Sequence, residues 1–331
     1  MTQQLNKVCI YGAGAIGGWL GLRLALAGCD VSVVARGATL AAVKANGLSL
    51  TQAASSKTQN VRVRASDTPA DLGVQDVVVV AVKAPSMGEV AKSIAPLIGA
   101  DTIVLTAMNG VPWWFFEGFG GKFEGHALQA VDPGGSIAKQ VPGKHIIGCV
   151  VHASCSLDAP GHVRQHFGNK VIIGEPSGQK TQRARALQAL LERSGLESVL
   201  SDQIQRDAWF KLWGNMTMNP ISAMTGATTD RVLDDELVRA FIGKVMLEAK
   251  EIGARIGIPI DQQPEDRHQV TRKLGAFKTS MLQDVEAGRA VELDALVTVV
   301  KELGALTDVP TPWTDALLGL ARLHARVRGL Y

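Results

Sequence analysis

A lysine and two asparagines in the second half of the chain recur at intervals of four residues. Lys211, Asn215 and Asn219 are therefore expected on one face of a helix, flanked by large apolar side chains. One interpretation is a solvated stripe in which Asp207 pairs with Lys211. The alternative is a ligand site, because enclosed amide and ammonium groups need polar partners. Pro220 should end or kink the helix at Asn219.

The first half of the chain contains a glycine-rich segment between a predicted strand and a predicted helix. Six residues match the pattern G-x-G-x-x-G, which binds dinucleotides in that context. They are Gly12, Ala13, Gly14, Ala15, Ile16 and Gly17. The three glycines would permit the tight turn, the approach of a pyrophosphate and the packing of helix on strand. The helix N-terminus would offer N–H groups to the phosphates.

Side chains that follow the predicted strands indicate which dinucleotide binds. Arg36 ends the second strand, where NAD sites usually place a carboxylate. A guanidinium can bind a 2′-phosphate with two hydrogen bonds, so Arg36 favours NADPH. The alternative is a solvated arginine. Lys83 and Asn109 follow later strands and would lie on the ligand side of the sheet, although either could be an ordinary loop residue.

Strand and helix signals alternate through the first half of the chain. Strands are predicted at 7–11, 31–35, 76–82 and 102–106, and helices at 15–27 and 39–46. The continuous apolar runs are typical of parallel strands buried on both faces. This alternation predicts an α/β fold with a Rossmann-type doubly wound sheet. From 148 to 174 we expect short strands, broken at 160–161 and 168–169, that form hairpins or sheet edges.

The turn-rich segment 174–180 predicts a domain boundary. We therefore expect a Rossmann domain over residues 1–178 and an all-α domain over residues 179–331. Helices are predicted at 183–193, 202–218, 230–256, 266–286, 292–306 and 312–328.

Composition restricts the classes of partner and compartment. The net charge of +3 over 331 residues does not indicate nucleic acid or a membrane surface. No apolar run approaches the roughly 20 residues of a membrane span. The four cysteines form no CxxC pair and have no metal-ligand spacing with histidine, so reduced thiols in a cytoplasmic, metal-free protein are expected. A homodimer is left open.

Four motifs, in this order, resemble the ketopantoate reductase family and span almost the whole chain. They are Gly12-x-Gly14-x-x-Gly17, Asn109-Gly110, Lys211-x-x-x-Asn215-x-x-x-Asn219-Pro220, and Ser280-Met-Leu-Gln-Asp284 with Glu292 beyond it. The first motif is common to many families, whereas the last two are specific. The resemblance implies an oxidoreductase that uses NADPH to reduce the ketone of a small 2-oxo acid, with 2-dehydropantoate in pantothenate synthesis as the expected substrate.

The resemblance also implies roles for individual residues. Lys211 would donate a proton to the carbonyl oxygen while NADPH delivers hydride to the carbon. Asn109 would hold the lysine and substrate in register, and Glu292 would contact the cofactor or the lysine. On its own segment, Glu292 could simply complement a helix dipole. Arg36 and Lys83 stand where the family contacts NADPH.

The remaining residues of the last two motifs are assigned to the substrate by the same resemblance. Asn215 and Asn219 would bind substrate oxygens, and Ser280 would bind the carboxylate.

The chain departs from the family pattern at a few positions. Thr229 and Phe277 stand where some members carry asparagine, and the run 113–116 is unusually aromatic. That run would either pack between domains or reshape the pocket. These departures keep the reaction type and leave the substrate open, so a reductase of another 2-oxo acid is an alternative. A non-catalytic NADPH-binding sensor is a third hypothesis.

Overall fold

The computed structural model describes residues 5–331, which divide into two compact units. Unit 1 contains the described residues up to Met108, together with Trp114–His126 and Gly135–Asp207. Unit 2 contains Asn109–Trp113, Ala127–Gly134 and Ala208–Tyr331.

Unit 1 is built on a ten-stranded sheet. Its strands are β1 (Lys7–Tyr11), β2 (Asp30–Val34), β3 (Leu48–Gln52), β4 (Lys57–Val61), β5 (Arg64–Ser66), β6 (Gln75–Val80), β7 (Ile98–Thr106), β8 (Ile146–Ala159), β9 (His162–Gly174) and β10 (Glu197–Leu200). The order is β4-β3-β9-β8-β7-β6-β1-β2-β5, and β10 pairs with β9. The pairs β3–β4 and β8–β9 are antiparallel and the other pairs are parallel. The predicted α/β class is confirmed, and the sheet is mixed.

The core of unit 1 lies where helices cover apolar strands. The helices are α1 (Ala15–Leu26), α2 (Gly37–Asn46), α3 (Met87–Ser93), α4 (Ser136–Gln140) and α5 (Gln182–Arg193). The valines at 77–80 on β6 are almost fully buried, which accounts for their continuous apolar run. Trp19 and Leu22 on α1 are also completely buried in this core.

The predicted short strands at 148–174 are wrong. The segment forms two long antiparallel strands, β8 and β9, which lie inside the sheet between β7 and β3. The turn at Pro160–Gly161 was correctly predicted. Gly168 does not end a strand. It has a φ of +77° beside register shifts of the β8–β9 pair, so it marks a bulge within a continuous strand.

The structure divides the chain later than the predicted boundary at residues 178–179. The helix α5 and the strand β10 follow that boundary but belong to unit 1, because β10 pairs with β9 from Glu197 to Leu200. The strands β3, β4, β5 and β10 were not predicted. β4 and β5 carry mostly polar or half-exposed residues, so their hydrophobic signal is weak.

Unit 2 is mainly helical. Its helices are α6 (Ile204–Thr225, which begins in unit 1), α7 (Thr229–Asp234), α8 (Glu236–Ile256), α9 (Pro264–Arg272), α10 (Ser280–Glu286), α11 (Val299–Leu306) and α12 (Pro312–Val327). A π-helical turn, Asp294–Thr298, precedes α11. None of the helices within residues 5–331 has both the length and the apolar character needed to span a membrane.

Helix boundaries in unit 2 correct three predictions. The helix α6 does not end at Asn219 but continues through Pro220 to Thr225, because burial of the surrounding helix outweighs the hydrogen bond that proline cannot donate. The predicted helix 230–256 is two helices, separated where Asp235 caps α8 at Leu237 and Val238.

The predicted helix 266–286 is also two helices. The segment 273–279 interrupts it, and Thr279 then caps α10 by accepting a hydrogen bond from the Leu282 N–H.

Candidate active site

The glycine segment lies at the point where the strand order of unit 1 reverses. β1 has β2 on one side and β6 on the other, and Gly12 follows the end of β1 directly. Open α/β sheets bind ligands at such a reversal, outside the carboxyl ends of the strands.

The three glycines of this segment differ in what an added side chain would meet. Gly12 has a φ of +96°, and a Cβ there would lie 2.7 Å from Cγ1 of Val82. A Cβ on Gly17 would overlap the Gly12 carbonyl oxygen, so α1 can approach β1 only without a side chain. A Cβ on Gly14 would meet no described atom within 4 Å. Packing therefore explains Gly12 and Gly17, whereas the open space at Gly14 leaves its backbone accessible to a ligand.

The start of α1 fits a phosphate group. Ala15 and Ile16 form its first turn, Ala13 is buried behind it, and no side chain within the described residues caps it. Its first N–H groups can therefore bind an anion, and the residues present fit a dinucleotide pyrophosphate.

Arg36 and Lys83 lie beyond the ends of β2 and β6. Arg36 is exposed at the start of α2, and Lys83 is half-buried ahead of α3. The Lys92 ammonium, with a smaller contribution from Arg36, holds the pKa of Glu89 below its usual value. Arg36 therefore lies within electrostatic range of the exposed carboxylate of Glu89.

Unit 2 brings two of the predicted residues into direct contact. The Lys211 ammonium on α6 donates a hydrogen bond to Oδ1 of Asn109, at an Nζ–Oδ1 distance of 2.9 Å. Both side chains are half-buried. The two residues are far apart in sequence, so this contact depends on tertiary structure. It helps to fix the direction of a charged donor.

The turn that carries Asn109 packs against the segment that carries Glu292. Gly110 has a φ of +83°, and a Cβ there would overlap the Ala295 carbonyl. The same carbonyl accepts a hydrogen bond from the Val111 N–H at 2.9 Å. Glu292, only 5% exposed, precedes this carbonyl by three residues. The π-helical turn at this place was not predicted, and such turns often occur at functional sites.

The other predicted side chains have unused hydrogen-bonding capacity. Asn215 and Asn219 follow Lys211 at successive turns of α6, and Asn219 is only 6% exposed. Ser280 is exposed at the first position of α10. Across residues 5–331, no protein group forms a hydrogen bond with these three side chains. Amides this enclosed need polar partners, which a ligand can supply.

The solvated stripe is therefore the weaker interpretation of α6. Asp207 accepts a hydrogen bond from Ser201, and Lys211 donates to Asn109. Burial raises the pKa of the Asp207 carboxyl, and hydrogen bonding to Ser201 lowers it by a smaller amount.

The aromatic run 113–116 is buried. Phe115 and Phe116 are in edge contact with ring centroids 5.2 Å apart, and Trp114 donates a hydrogen bond to Thr106. These three rings belong to the packing of unit 1.

In the described part of the chain, no group of three histidine, cysteine, aspartate or glutamate residues could hold a metal ion.

Comparisons with known proteins agree with the sequence motifs. Residues 8–113 match the family profile of ketopantoate reductase PanE/ApbA, and residues 203–325 match the profile of its C-terminal part. The curated 2-dehydropantoate 2-reductase of Mesorhizobium japonicum is 46% identical over 326 residues, which cover 98% of this chain and 99% of that protein.

Solved structures share the fold. A candidate ketopantoate reductase from Ralstonia solanacearum MolK2 is 57% identical, with a TM-score of 0.95 over 99% of this chain and 100% of that one. The ternary structure of D-mandelate dehydrogenase with NADH and anilino(oxo)acetate is 22% identical, with a TM-score of 0.83 over 98% and 100% of the two chains. The order of the two profiles and the similarity along almost the full length lead to one assignment: this chain belongs to the ketopantoate reductase family.

Proposed function

We propose that this chain reduces the ketone of a 2-oxo acid to a 2-hydroxy acid with NADPH, and that 2-dehydropantoate is the substrate. The hydrogen bond between Lys211 and Asn109 carries the proposal, because it orients an ammonium beside two amides that have no protein partner. The curated relative from Mesorhizobium japonicum, named 2-dehydropantoate 2-reductase, supports the choice of substrate.

Lys211 is the proposed proton donor. Reduction of a ketone places negative charge on the carbonyl oxygen, which an ammonium can neutralise by donating a proton. Asn109 accepts a hydrogen bond from the Lys211 ammonium and so directs this donor, which has three N–H groups in all. The neutral amine then regains its proton from solvent. Glu292, buried beside the Asn109 turn, is proposed to position the lysine and to contact the cofactor.

The proposed cofactor site is the glycine segment with Arg36 and Lys83. The turn at Gly14 would accept the pyrophosphate, and Arg36 would bind the 2′-phosphate with two hydrogen bonds. The family uses nicotinamide cofactors, and the preference for NADPH over NADH is our proposal. When bound, the nicotinamide supplies the hydride.

The substrate is proposed to occupy the polar face of α6. Asn215 and Asn219 each have amide donors and an acceptor oxygen for the hydroxyl and carbonyl groups of a small acid. Ser280 would donate a hydrogen bond to the carboxylate.

The test is NADPH oxidation with a panel of 2-oxo acids that includes 2-dehydropantoate. Lys211→Met should lower kcat by about 100- to 10,000-fold, the usual contribution of a positioned acid, and should leave NADPH binding unchanged. Lys244→Met is the matched control, because Lys244 is an exposed lysine on α8. Full activity of Lys211→Met would contradict the proposed role, and no oxidation with any acid would contradict the function.

One observation favours a different 2-oxo acid on the same scaffold. The Thr229 N–H donates to the Phe277 carbonyl at 3.0 Å, so the two positions that differ from some family members adjoin each other ahead of Ser280. A substrate with an apolar group would suit the half-buried ring of Phe277. A higher kcat/KM for such an acid than for 2-dehydropantoate would establish this alternative.

A further inference from the structure

A second cationic side chain lies beside the polar face of α6. Arg267 on α9 is half-buried, and its guanidinium carbon lies 5.4 Å from the centre of the Phe210 ring. Phe210 immediately precedes Lys211 in the same helix. The arginine thus stacks on the ring next to the proposed proton donor.

The absence of a side chain at Gly214 leaves room for the Arg267 guanidinium. A Cβ on Gly214 would lie 2.7 Å from Nε of Arg267, closer than side chains pack, and 3.1 Å from its Nη2. Gly214 follows Lys211 by three positions and immediately precedes Asn215. Residues three apart on a helix are neighbours, with Cβ atoms about 5–6 Å apart. Arg267 therefore covers the flank of the segment that carries Lys211 and Asn215.

The guanidinium lacks an anionic partner. Its Nε is buried without a hydrogen bond, and no carboxylate within residues 5–331 forms an ion pair with Arg267. The carboxylate of the neighbouring Asp266 accepts the Gln263 N–H in the cap of α9. Burial lowers the pKa of the Arg267 guanidinium. A guanidinium that is partly desolvated and unpaired is suited to a carboxylate ligand, which it can bind with two parallel hydrogen bonds.

We propose that Arg267 binds a carboxylate of the substrate and thereby selects anionic 2-oxo acids over neutral ketones. This inference rests on the proposed function. Ser280 can contribute to the same carboxylate, because two carboxylate oxygens offer about four acceptor positions. The carboxylate is either the one next to the ketone or a second one at the far end of a dicarboxylic acid.

The test compares a 2-oxo acid with its neutral amide in the wild type and in Arg267→Gln. The wild type should prefer the acid, and the variant should lose about 10- to 100-fold in kcat/KM for the acid and little for the amide. Arg267→Lys should recover part of the preference, since it keeps the charge and loses the planar fork. A dicarboxylic 2-oxo acid shows which of the two carboxylates Arg267 binds. If Arg267 binds the distal carboxylate, the diacid has a higher kcat/KM than the monoacid in the wild type, and this difference disappears in Arg267→Gln.

Gly214→Ala provides a second variant that keeps the charge. The added methyl group should displace the flexible guanidinium and reduce the acid preference as Arg267→Gln does. Alanine favours helix more than glycine, so the melting temperature should not fall. Gly243→Ala is the matched control, because a Cβ on this helical glycine of α8 meets no described atom within 4 Å.

Equal losses for acid and amide in both variants would show that Arg267 only packs α9 on α6, which would overturn the proposal. Absence of turnover in the wild type would instead contradict the proposed function. In that case, calorimetric titration of the acid and the amide into the protein saturated with NADP still measures the preference. An acid preference that persists in Arg267→Gln would then overturn the role of Arg267.

Discussion

The backbone of Thr229 is hydrogen-bonded to the backbone of Phe277, with 3.0 Å between the donor nitrogen and the acceptor oxygen. The Thr229 hydroxyl also donates to the Gly275 carbonyl at 2.8 Å. Thr229 therefore fixes the segment that presents Phe277 and leads to Ser280. Because the first of these bonds joins backbone atoms, substitution of the Phe277 side chain should leave the segment in place.

Phe277→Asn should shift selectivity toward 2-dehydropantoate. An amide at this position can hydrogen-bond a substrate hydroxyl, which a phenyl ring cannot do. One such bond corresponds to roughly a threefold to tenfold increase in kcat/KM relative to an apolar 2-oxo acid. The measurement is the ratio of the two kcat/KM values. Phe277→Leu, which stays apolar, should leave that ratio unchanged. If Phe277→Asn also has the ratio of the wild type, the side chain at this position does not contact the substrate.

Asn109→Ala should lower kcat more than it affects NADPH binding, because the Lys211 ammonium would lose the acceptor that orients it. Asn109→Asp keeps an acceptor and adds a negative charge. A carboxylate favours the charged ammonium, so the alkaline limb of the kcat–pH profile should move to higher pH. The profile is measured from pH 6 to about 10. An unchanged limb in Asn109→Asp would contradict the role of Lys211 as the acid.

Arg36→Ala should reduce kcat/KM for NADPH by about 10- to 100-fold and leave kcat/KM for NADH nearly unchanged, because only NADPH carries the 2′-phosphate. Parallel titrations with the two cofactors measure the ratio. Arg185→Ala, which removes an exposed arginine from α5, is the control. A wild type that already prefers NADH would refute the cofactor assignment.

His268 should make the protein less stable in mildly acidic solution. It is 5% exposed on α9, and neither ring nitrogen has a hydrogen-bond partner in the described chain. Burial lowers its pKa below 6.5, Glu265 raises it by a smaller amount, and Arg239 and Arg272 lower it further.

The sign of this effect follows from proton uptake. As the pH falls below about 6.5, the unfolded chain binds a proton at residue 268 before the folded chain does, so the free energy of unfolding decreases. Urea denaturation of His268→Gln between pH 7 and pH 5 should show a smaller decrease than the wild type. His126→Gln, at an exposed histidine of unit 1, should behave like the wild type. Parallel curves for wild type and His268→Gln would exclude His268 as the cause.

Local sequence patterns correctly predicted the first strand and the first two helices of unit 1. β1 was placed at its observed bounds, and α1 and α2 to within two residues, because glycines and apolar runs are encoded nearby. The strands β3, β4, β5 and β10 were missed because a pairing partner lies far away in sequence or because the strand is polar. The continuation of α6 through Pro220 depends on burial in unit 2, which a local rule for proline does not include.

The site was predictable where one helix or one turn holds the residues. Lys211, Asn215 and Asn219 share a helical face, and that spacing is visible in the sequence. The contact of Lys211 with Asn109 could be anticipated only through the family resemblance. Arg267 has no motif at all. The one sequence signal for it is a glycine, Gly214, inside an otherwise apolar helix. That glycine points to Arg267 only when the structure shows that α9 packs on α6.

Lys211, Asn215 and Asn219 lie on one continuous helix, so the distances between them along the helix axis are fixed. With a rise of 1.5 Å per residue, the Cα atoms of Lys211 and Asn219 are about 12 Å apart, and Asn215 lies midway between them. A loop could alter such intervals to fit a longer molecule, whereas a continuous helix cannot. In a homologous series of 2-oxo acids, kcat/KM should therefore drop abruptly once the carbon chain of the substrate is longer than the spacing between two of these side chains.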